Sequence, residues 1–117
     1  MNQAQELTVG PSRWSQGGTV YFNEYELGGI AIQVFGEEGP EYTATVALAG
    51  NDPGENCVWL KGWGANEDVP EALEAAGIVE LTGITRRTGF AVAQHAKLTE
   101  KALAALAAQK AAQAHES

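Results

Sequence analysis

Alternating apolar residues, interrupted by turn-forming residues, are the feature that most constrains the fold of this chain. Three apolar stretches, at positions 20–27, 30–35 and 42–48, place their apolar side chains mainly on every second residue. Gly28-Gly29 and Glu37-Glu38-Gly39-Pro40 separate these stretches and are typical of tight turns. Because side chains of a strand alternate between two faces, the pattern predicts three strands joined by short turns in an antiparallel meander.

Helical patterns occupy the second half of the chain. Asp68 stands where an N-cap is expected, with Glu71 three residues later, and Gly77 follows as a left-handed stop. Beyond Thr99 the chain consists of Ala, Leu, Lys, Gln and Glu up to position 114, and all five are good helix formers. We therefore expect an α+β fold with an antiparallel sheet of four to six strands. One helix at about 67–76 packs against it, and a C-terminal alanine-rich helix spans about 99–114.

The segments that flank the first helix are short and less regular. Cys57-Val58-Trp59-Leu60 is apolar but too brief to assign as strand or helix. After the helix, positions 79–81 predict a short strand, and positions 90–94 predict the last strand. Thr82-Gly83 and Thr88-Gly89 both indicate turns, so we place positions 82–89 in a loop.

The chain divides into three parts along its 117 residues. Positions 1–18 form an irregular N-terminal arm in which an edge strand is expected at about 5–9. Positions 19–97 form the α+β domain, and positions 98–117 form the C-terminal helix and tail. The large apolar residues of that helix are only Leu98, Leu103 and Leu106. Such a helix packs lightly, frays or pairs with a partner, so one hypothesis is an oligomeric scaffold protein that pairs through residues 98–114.

Cysteine content and hydropathy bear on the compartment. The single cysteine, Cys57, has no partner for an internal disulfide, which favours the reducing cytoplasm. The polar start of the chain does not have the pattern of a signal peptide, and no apolar run approaches the roughly 20 residues that span a bilayer. We expect a cytoplasmic protein, in the host cytoplasm if a phage encodes it, without a membrane partner.

Charge is distributed unevenly. The chain has 15 acidic and 7 basic residues, a net charge of −8, and its sequence pI is about 4.6. Thirteen of the acidic residues precede position 81, and five of the basic residues follow it. Direct nucleic-acid binding needs a basic surface, so the composition argues against it. The spaced acidic residues predict a charged surface on the folded part, which serves solubility or docks on a basic protein groove.

Groups for catalysis or for metal binding are few. The two histidines are His95, in or just after the predicted last strand, and His115, three residues from the end. Cys57 follows Glu55-Asn56, an acidic neighbourhood that does not activate a thiol. No zinc, EF-hand or phosphate-loop motif is present, so we expect neither metal nor cofactor. The remaining enzyme hypothesis is a small-ligand binder or enzyme that uses His95 with Arg86 and Arg87.

Binding features are stronger, because aromatic residues stand among the acidic ones. Such residues act as anchors inside a charged rim at protein interfaces. Trp63 lies between two glycines, and we expect it to be partly exposed. The predicted partner-binding residues are Glu24, Glu26, Glu37, Glu38, Glu41, Asp52, Glu55, Trp63, Glu67, Asp68, Arg86 and Arg87.

Local motifs between positions 57 and 97 carry a family resemblance. They are Glu-Ala-Leu-Glu-Ala-Ala-Gly-Ile at 71–78, Thr82-Gly83, and Thr88-Gly89-Phe90. With the preceding strands, this stretch resembles a family of small uncharacterised accessory proteins of bacterial mobile elements and phages. Positions 62–64 and the helix after Leu98 depart from it. The resemblance implies an accessory gene setting and supplies no catalytic residues.

Together these observations predict a non-enzymatic acidic binding protein of a mobile element. It is expected to inhibit a host nucleic-acid-handling defence complex, of the anti-CRISPR or anti-restriction type, by occupying the basic surface of that complex. In one version the acidic residues imitate DNA. The helix-paired scaffold and the small-ligand protein are the two alternatives.

Overall fold

The computed structural model describes residues 7–25, 29–48 and 50–116, with only the backbone at 113–116. Its α+β architecture confirms the expected fold class. The strands are β1 (Thr8–Val9), β2 (Gly18–Glu24), β3 (Ile30–Gly36), β4 (Gly39–Thr43), β5 (Cys57–Leu60), β6 (Val79–Thr88) and β7 (Ala91–Leu98). The helices are α1 (Val69–Ala75) and α2 (Glu100–Glu116), with a 3-10 turn at Gly64–Asn66 before α1.

The predicted meander forms the first sheet, in the antiparallel order β1-β2-β3-β4. Its third strand is Gly39–Thr43 and not the predicted 42–48, because pairing with β3 begins directly after the turn at Glu37-Glu38. Val20 pairs with Val34 and Phe22 pairs with Ile32, and these four side chains are buried in the core. β1 is the edge strand expected near the start of the chain. The alternation of side chains therefore determines which face of the first sheet points to the core, because only one register buries all four of these side chains.

The strands are divided between two sheets, whereas the sequence indicated one. The second sheet has the antiparallel order β5-β7-β6. β4 ends at Thr43, and the next residues cross from one sheet to the other. The Ala44 N–H donates to the Ile32 carbonyl, and the Ala44 carbonyl accepts the Lys61 N–H after β5, both at 2.8 Å. The unassigned stretch Cys57–Leu60 is therefore a strand, paired with β7 and bridged to Thr45.

Helix α1 lies close to its predicted position and ends as expected. The Gly77 N–H donates to the Glu74 carbonyl, and the Ile78 N–H donates to the Leu73 carbonyl, each at 3.0 Å. Leu73 and Ile78 are both fully buried, which completes the hydrophobic contact of this C-terminal motif. Asp68 is the N-cap residue of α1, as predicted, but its side chain makes no capping hydrogen bond.

Helix α2 packs against the core of its own chain. Ala102 and Ala105 are buried there, and Leu103 and Leu106 pack against the same cluster. The Gln109 side chain accepts the Phe22 N–H at 2.9 Å, which ties the helix to β2. The apolar residues expected to pair with a partner thus contact the body, and pairing through 98–114 stays a prediction.

The loop predicted at 82–89 is wrong, because these residues continue strand β6. Arg86 pairs with Ala93 and Arg87 pairs with Val92 of β7, after an irregularity in register between Leu81 and Thr85. The strand passes the predicted turn at Thr82-Gly83, because this irregularity accommodates the two residues within the ladder. The turn predicted at Thr88-Gly89 is confirmed, since β6 ends at Thr88 and Gly89, with φ of 66°, forms the hairpin corner with Phe90. We call residues 85–94 the basic hairpin, since the pairing of β5 with β7 ends at Gln94.

Candidate functional site

An open cleft of about 1240 Å³ lies between the N-terminal segment and the first sheet. Its walls are residues 11–19, residues 35–38 and Glu41. We call it the acidic cleft. It holds three of the predicted partner-binding residues, Glu37, Glu38 and Glu41, and it adds Trp14, which the sequence did not single out.

A tight turn and two glycines shape the acidic cleft. The Ser12 and Ser15 backbones pair, with the Ser12 N–H donating to the Ser15 carbonyl at 2.9 Å. Gly17 has φ of 82°, and a Cβ there would overlap the Val9 carbonyl oxygen. A Cβ at Gly18 would overlap the Phe35 carbonyl oxygen in the same way. The chain can approach the end of β1 at Gly17 and β3 at Gly18 this closely only because both residues lack a side chain.

Hydrogen bonds hold the turn at both ends. The Arg13 N–H donates to both carboxylate oxygens of Asp68, at 2.9 and 3.1 Å, so this side chain is engaged away from the first turn of α1. The Ser15 hydroxyl donates to Glu41 at 2.6 Å. The tip that carries Trp14 is thus tied to α1 and to β4.

Trp14 is the exposed aromatic residue of the cleft, with 61% of its surface accessible. The Arg13 guanidinium lies 5.6 Å from the centre of the Trp14 ring and 3.5 Å from a Glu67 carboxylate oxygen. Trp14 therefore already contacts one cation of its own chain. Tryptophan is the best aromatic partner for such contacts, because of the negative charge on its ring face.

Carboxylates dominate the electrostatics of the cleft. Its walls carry three carboxylates and one guanidinium, and that guanidinium pairs with Glu67 outside the walls. Among the residues that the structure describes, Glu37 and Glu38 take part in no ion pair. Nearby, burial and then the charges of Asp68 and Glu41 raise the pKa of Tyr42 to about 12. The region is therefore negative and ready to accept a cation.

The other predicted partner-binding residues do not join the cleft as one surface. Glu24 ends β2 and lies 3.7 Å from Lys110 of α2. Asp52 and Glu55 are exposed in the loop before β5, and Trp63 is half-buried beside the 3-10 turn. Arg86 and Arg87 are exposed on the basic hairpin, and Glu26 lies outside the described residues. Glu67 and Asp68 reach the cleft indirectly, through Arg13.

His95 joins three segments of the second sheet. Its Nδ1 lies 2.8 Å from the Thr82 hydroxyl, and its Nε2 lies 2.7 Å from the Pro53 carbonyl oxygen and donates to it. A hydroxyl beside an oriented imidazole is the pairing of a nucleophile and a base. Neither residue lines the acidic cleft or the cavity that contains Trp59, however, and no described contact brings Arg86 or Arg87 to His95. The contacts favour a bracing role for His95.

A second cavity, of about 540 Å³, lies between the sheets. Its walls are mainly apolar and include Ile30, Val46 and Trp59, with Asp52 at one side. Across the described ranges 7–25, 29–48 and 50–116, no three His, Cys, Asp or Glu residues are arranged to hold a metal ion. In the same ranges no helix combines the length and the apolar character that a bilayer crossing requires.

Three exposed aromatics, Trp14, Tyr21 and Phe90, are absent from the predicted partner-binding residues. The sequence carries a signal for the exposure of Trp14 and of Phe90. Trp14 stands in Ser12-Arg13-Trp14-Ser15, where polar neighbours and a following Gly17-Gly18 indicate a projecting turn. Phe90 follows Gly89 between two extended runs, and Gly-X is the loop of a two-residue hairpin.

No family model, curated protein or solved structure matches this chain. The resemblance to accessory proteins of mobile elements therefore stays a prediction.

Proposed function

We propose that this protein is a non-enzymatic binding domain whose acidic cleft holds a basic segment of a partner protein. The observation that carries the proposal is an exposed tryptophan, Trp14, between carboxylates that lack ion-pair partners in the described part of the chain. An arginine or lysine side chain satisfies both features at once. Its charge complements Glu37 and Glu38, and its stem packs on the indole.

The size of the cleft supports a peptide segment as the ligand. Pockets for small molecules have volumes of about 300–1,000 Å³ and are mostly apolar. The acidic cleft, at about 1240 Å³, is larger and its walls are polar and charged. A segment of several residues with cationic side chains suits such walls better than an apolar small molecule does.

Preorganisation supports a binding role for Trp14. A side chain that is already positioned loses less conformational freedom on binding, and this raises affinity. Asp68 and Glu41 hold the turn from both sides, so Trp14 starts from a fixed backbone. The contact with Arg13 gives the indole the same kind of neighbour that we propose for the bound state.

The identity of the partner is a narrower proposal. We propose that the basic segment belongs to a nucleic-acid-handling defence complex, as the family resemblance implies. The supporting features are the net charge of −8 and the acidic cleft. Competition between this protein and a DNA fragment for a purified complex of that class tests the narrower proposal, and simultaneous binding of both would reject it.

The cleft itself is tested by calorimetric titration with an arginine- and lysine-rich peptide over a salt series. We expect the affinity to fall as salt rises, because at 0.1 M salt exposed charges are screened beyond roughly 10 Å. Trp14→Ala is expected to weaken binding by about tenfold or less, since an exposed cation–π contact contributes about 0.5–1 kcal/mol. Trp14→Phe keeps an aromatic face and is the matched control. Binding that ignores both salt and Trp14→Ala would overturn the proposal.

A further inference from the structure

The basic hairpin projects from the body with its apolar residues uncovered. Phe90 at its corner is fully exposed, Val92 is about half exposed, and Ile84, directly before the hairpin on β6, is half exposed as well. Between Gln94 and the corner, the hairpin has two strands, and no third strand from the described residues lies beside them. A two-stranded ribbon is marginally stable in water by itself, and exposed apolar residues on one commonly mark a contact surface.

The charge of the hairpin is opposite to that of the cleft. Between Glu80 and Glu100 the sequence contains no acidic residue, while Arg86 and Arg87 lie within the hairpin. These two arginines are neighbours on one strand, so they point to opposite faces of the ribbon. Either face of the hairpin therefore presents a guanidinium near the Phe90 corner.

We propose that the basic hairpin of one copy docks in the acidic cleft of a second copy. This inference rests on the proposed function, since it names a basic segment that the cleft takes. Arg86 or Arg87 pairs with Glu37 and Glu38, and Phe90 packs beside Trp14. Guanidinium groups suit carboxylates and aromatic faces together, which is the combination that the cleft offers.

Head-to-tail geometry follows from this pairing. Each copy has one hairpin and one cleft on different parts of its surface, so a docked pair leaves one of each unused. Such heterologous contacts continue into rings or open chains of molecules. The contact is limited to a hairpin corner, and small interfaces, below roughly 1,200 Å², are weak. Assembly is therefore expected to depend strongly on concentration.

A second copy is favoured over an anionic membrane as the occupant. An exposed phenylalanine beside arginines is also typical of surfaces that bind acidic lipids. However, 13 acidic residues lie in the first 80 positions, and the whole chain carries −8, so an anionic surface repels the body. The acidic cleft, by contrast, is a negatively charged surface large enough to bind the corner of the hairpin.

Two complementary variants test the proposal by sedimentation velocity of the full chain. The first, R86Q/R87Q/F90A, disables the hairpin, and the second, W14A/E37K/E38K, disables the cleft. Wild-type protein is expected to form dimers and larger species as its concentration rises, less so in 0.5 M salt. Each variant alone is expected to associate at least tenfold more weakly. Mixed together, they are expected to form a dimer and nothing larger, because only one intact hairpin and one intact cleft remain.

Controls separate this inference from the proposed function. E55K/E71K makes the same charge change as E37K/E38K outside the cleft and is expected to leave assembly intact. F90A alone provides a milder variant whose fold is checked by circular dichroism. A wild-type chain that stays monomeric would overturn the inference. A monomeric protein that pellets with phosphatidylserine vesicles, and no longer does so as F90A, would overturn it as well, because the hairpin would then bind a membrane. If R86Q/R87Q/F90A still binds the cationic peptide, the proposed function survives that failure.

Discussion

The acidic cleft and the basic hairpin each present an aromatic residue at a turn, but they differ in how that residue is held. Trp14 stands on a turn that hydrogen bonds tie to α1 and β4. Phe90 stands on a ribbon supported by its own ladder alone. The cleft is therefore organised before binding, whereas the hairpin is a projecting ligand-like element. Charge divides the same two regions, with carboxylates in one and guanidinium groups in the other.

The largest expected effect is on the free energy of unfolding, and it separates the core of the body from the basic hairpin. Leu73 of α1 is fully buried, so Leu73→Ala is expected to lower the free energy of unfolding by about 2–5 kcal/mol. Phe90→Ala removes a fully exposed side chain, and a change of within about 0.5 kcal/mol is expected. Urea denaturation of both variants measures the contrast. A comparable loss for Phe90→Ala would show that the hairpin packs on the body.

A smaller contrast concerns two glycines with positive φ: Gly17 in the acidic cleft, and Gly83 in β6 before the basic hairpin. Gly83→Ala in β6 has open space for its Cβ and is expected to cost about 1–2 kcal/mol for the left-handed backbone. Gly17→Ala has the same backbone cost, and its Cβ also overlaps the Val9 carbonyl oxygen. We expect a larger loss for Gly17→Ala in thermal unfolding, together with weaker peptide binding. Equal losses would mean that the cleft backbone adjusts freely.

The hydrogen bonds from the Arg13 N–H to Asp68, which hold the turn of the cleft, are expected to contribute less to the free energy of unfolding. Asp68→Ala removes the acceptor of the Arg13 N–H and is expected to cost about 1 kcal/mol. Glu67→Ala breaks only an exposed ion pair, so a change below about 0.5 kcal/mol is expected. Peptide titration of both variants is the sharper readout. Asp68→Ala should weaken binding more than Glu67→Ala, and the reverse order would contradict preorganisation by this tether.

The smallest expected effect is a pH dependence of stability that arises from Tyr42, near the acidic cleft. Burial and neighbouring carboxylates raise the pKa of Tyr42 from 10.0 to about 12. In the unfolded chain this tyrosine ionises first, so its contribution to stability is complete below pH 10 and is lost as the pH rises towards 12. Tyr42→Phe lacks this contribution. The stability difference between wild type and Tyr42→Phe should therefore shrink from pH 9 to pH 11.5, and a constant difference would exclude a raised pKa.

Much of the fold was predictable because its signals are local. Alternation and turn residues determine β2 and β3, and Gly77-Ile78 determines the end of α1. The division into two sheets depends on Thr45, which bridges to Leu60 and accepts the Ile32 N–H at 3.1 Å, contacts that no local pattern contains. The length of β6 was missed because Thr82-Gly83 reads as a turn, whereas pairing with β7 carries the strand through it.

The site was less predictable than the fold. The acidic residues were identified, but the sequence does not show which of them meet. Trp63 was chosen from its flanking glycines and is half-buried, whereas Trp14 is exposed. The contact that positions Trp14 joins Arg13 and Asp68, 55 residues apart, so it arises only from the folded arrangement.

The central claim is that the acidic cleft binds through its geometry and not through net charge alone. E37Q/E38Q and E55Q/E71Q remove two exposed carboxylates each, inside and outside the cleft, and leave the two variants with equal net charge. Titration of both with the cationic peptide at low salt tests the claim most directly. E37Q/E38Q is expected to lose about tenfold in affinity or more, a difference of roughly 1.4 kcal/mol, and E55Q/E71Q is expected to lose less than about twofold. Equal losses in the two variants would contradict it.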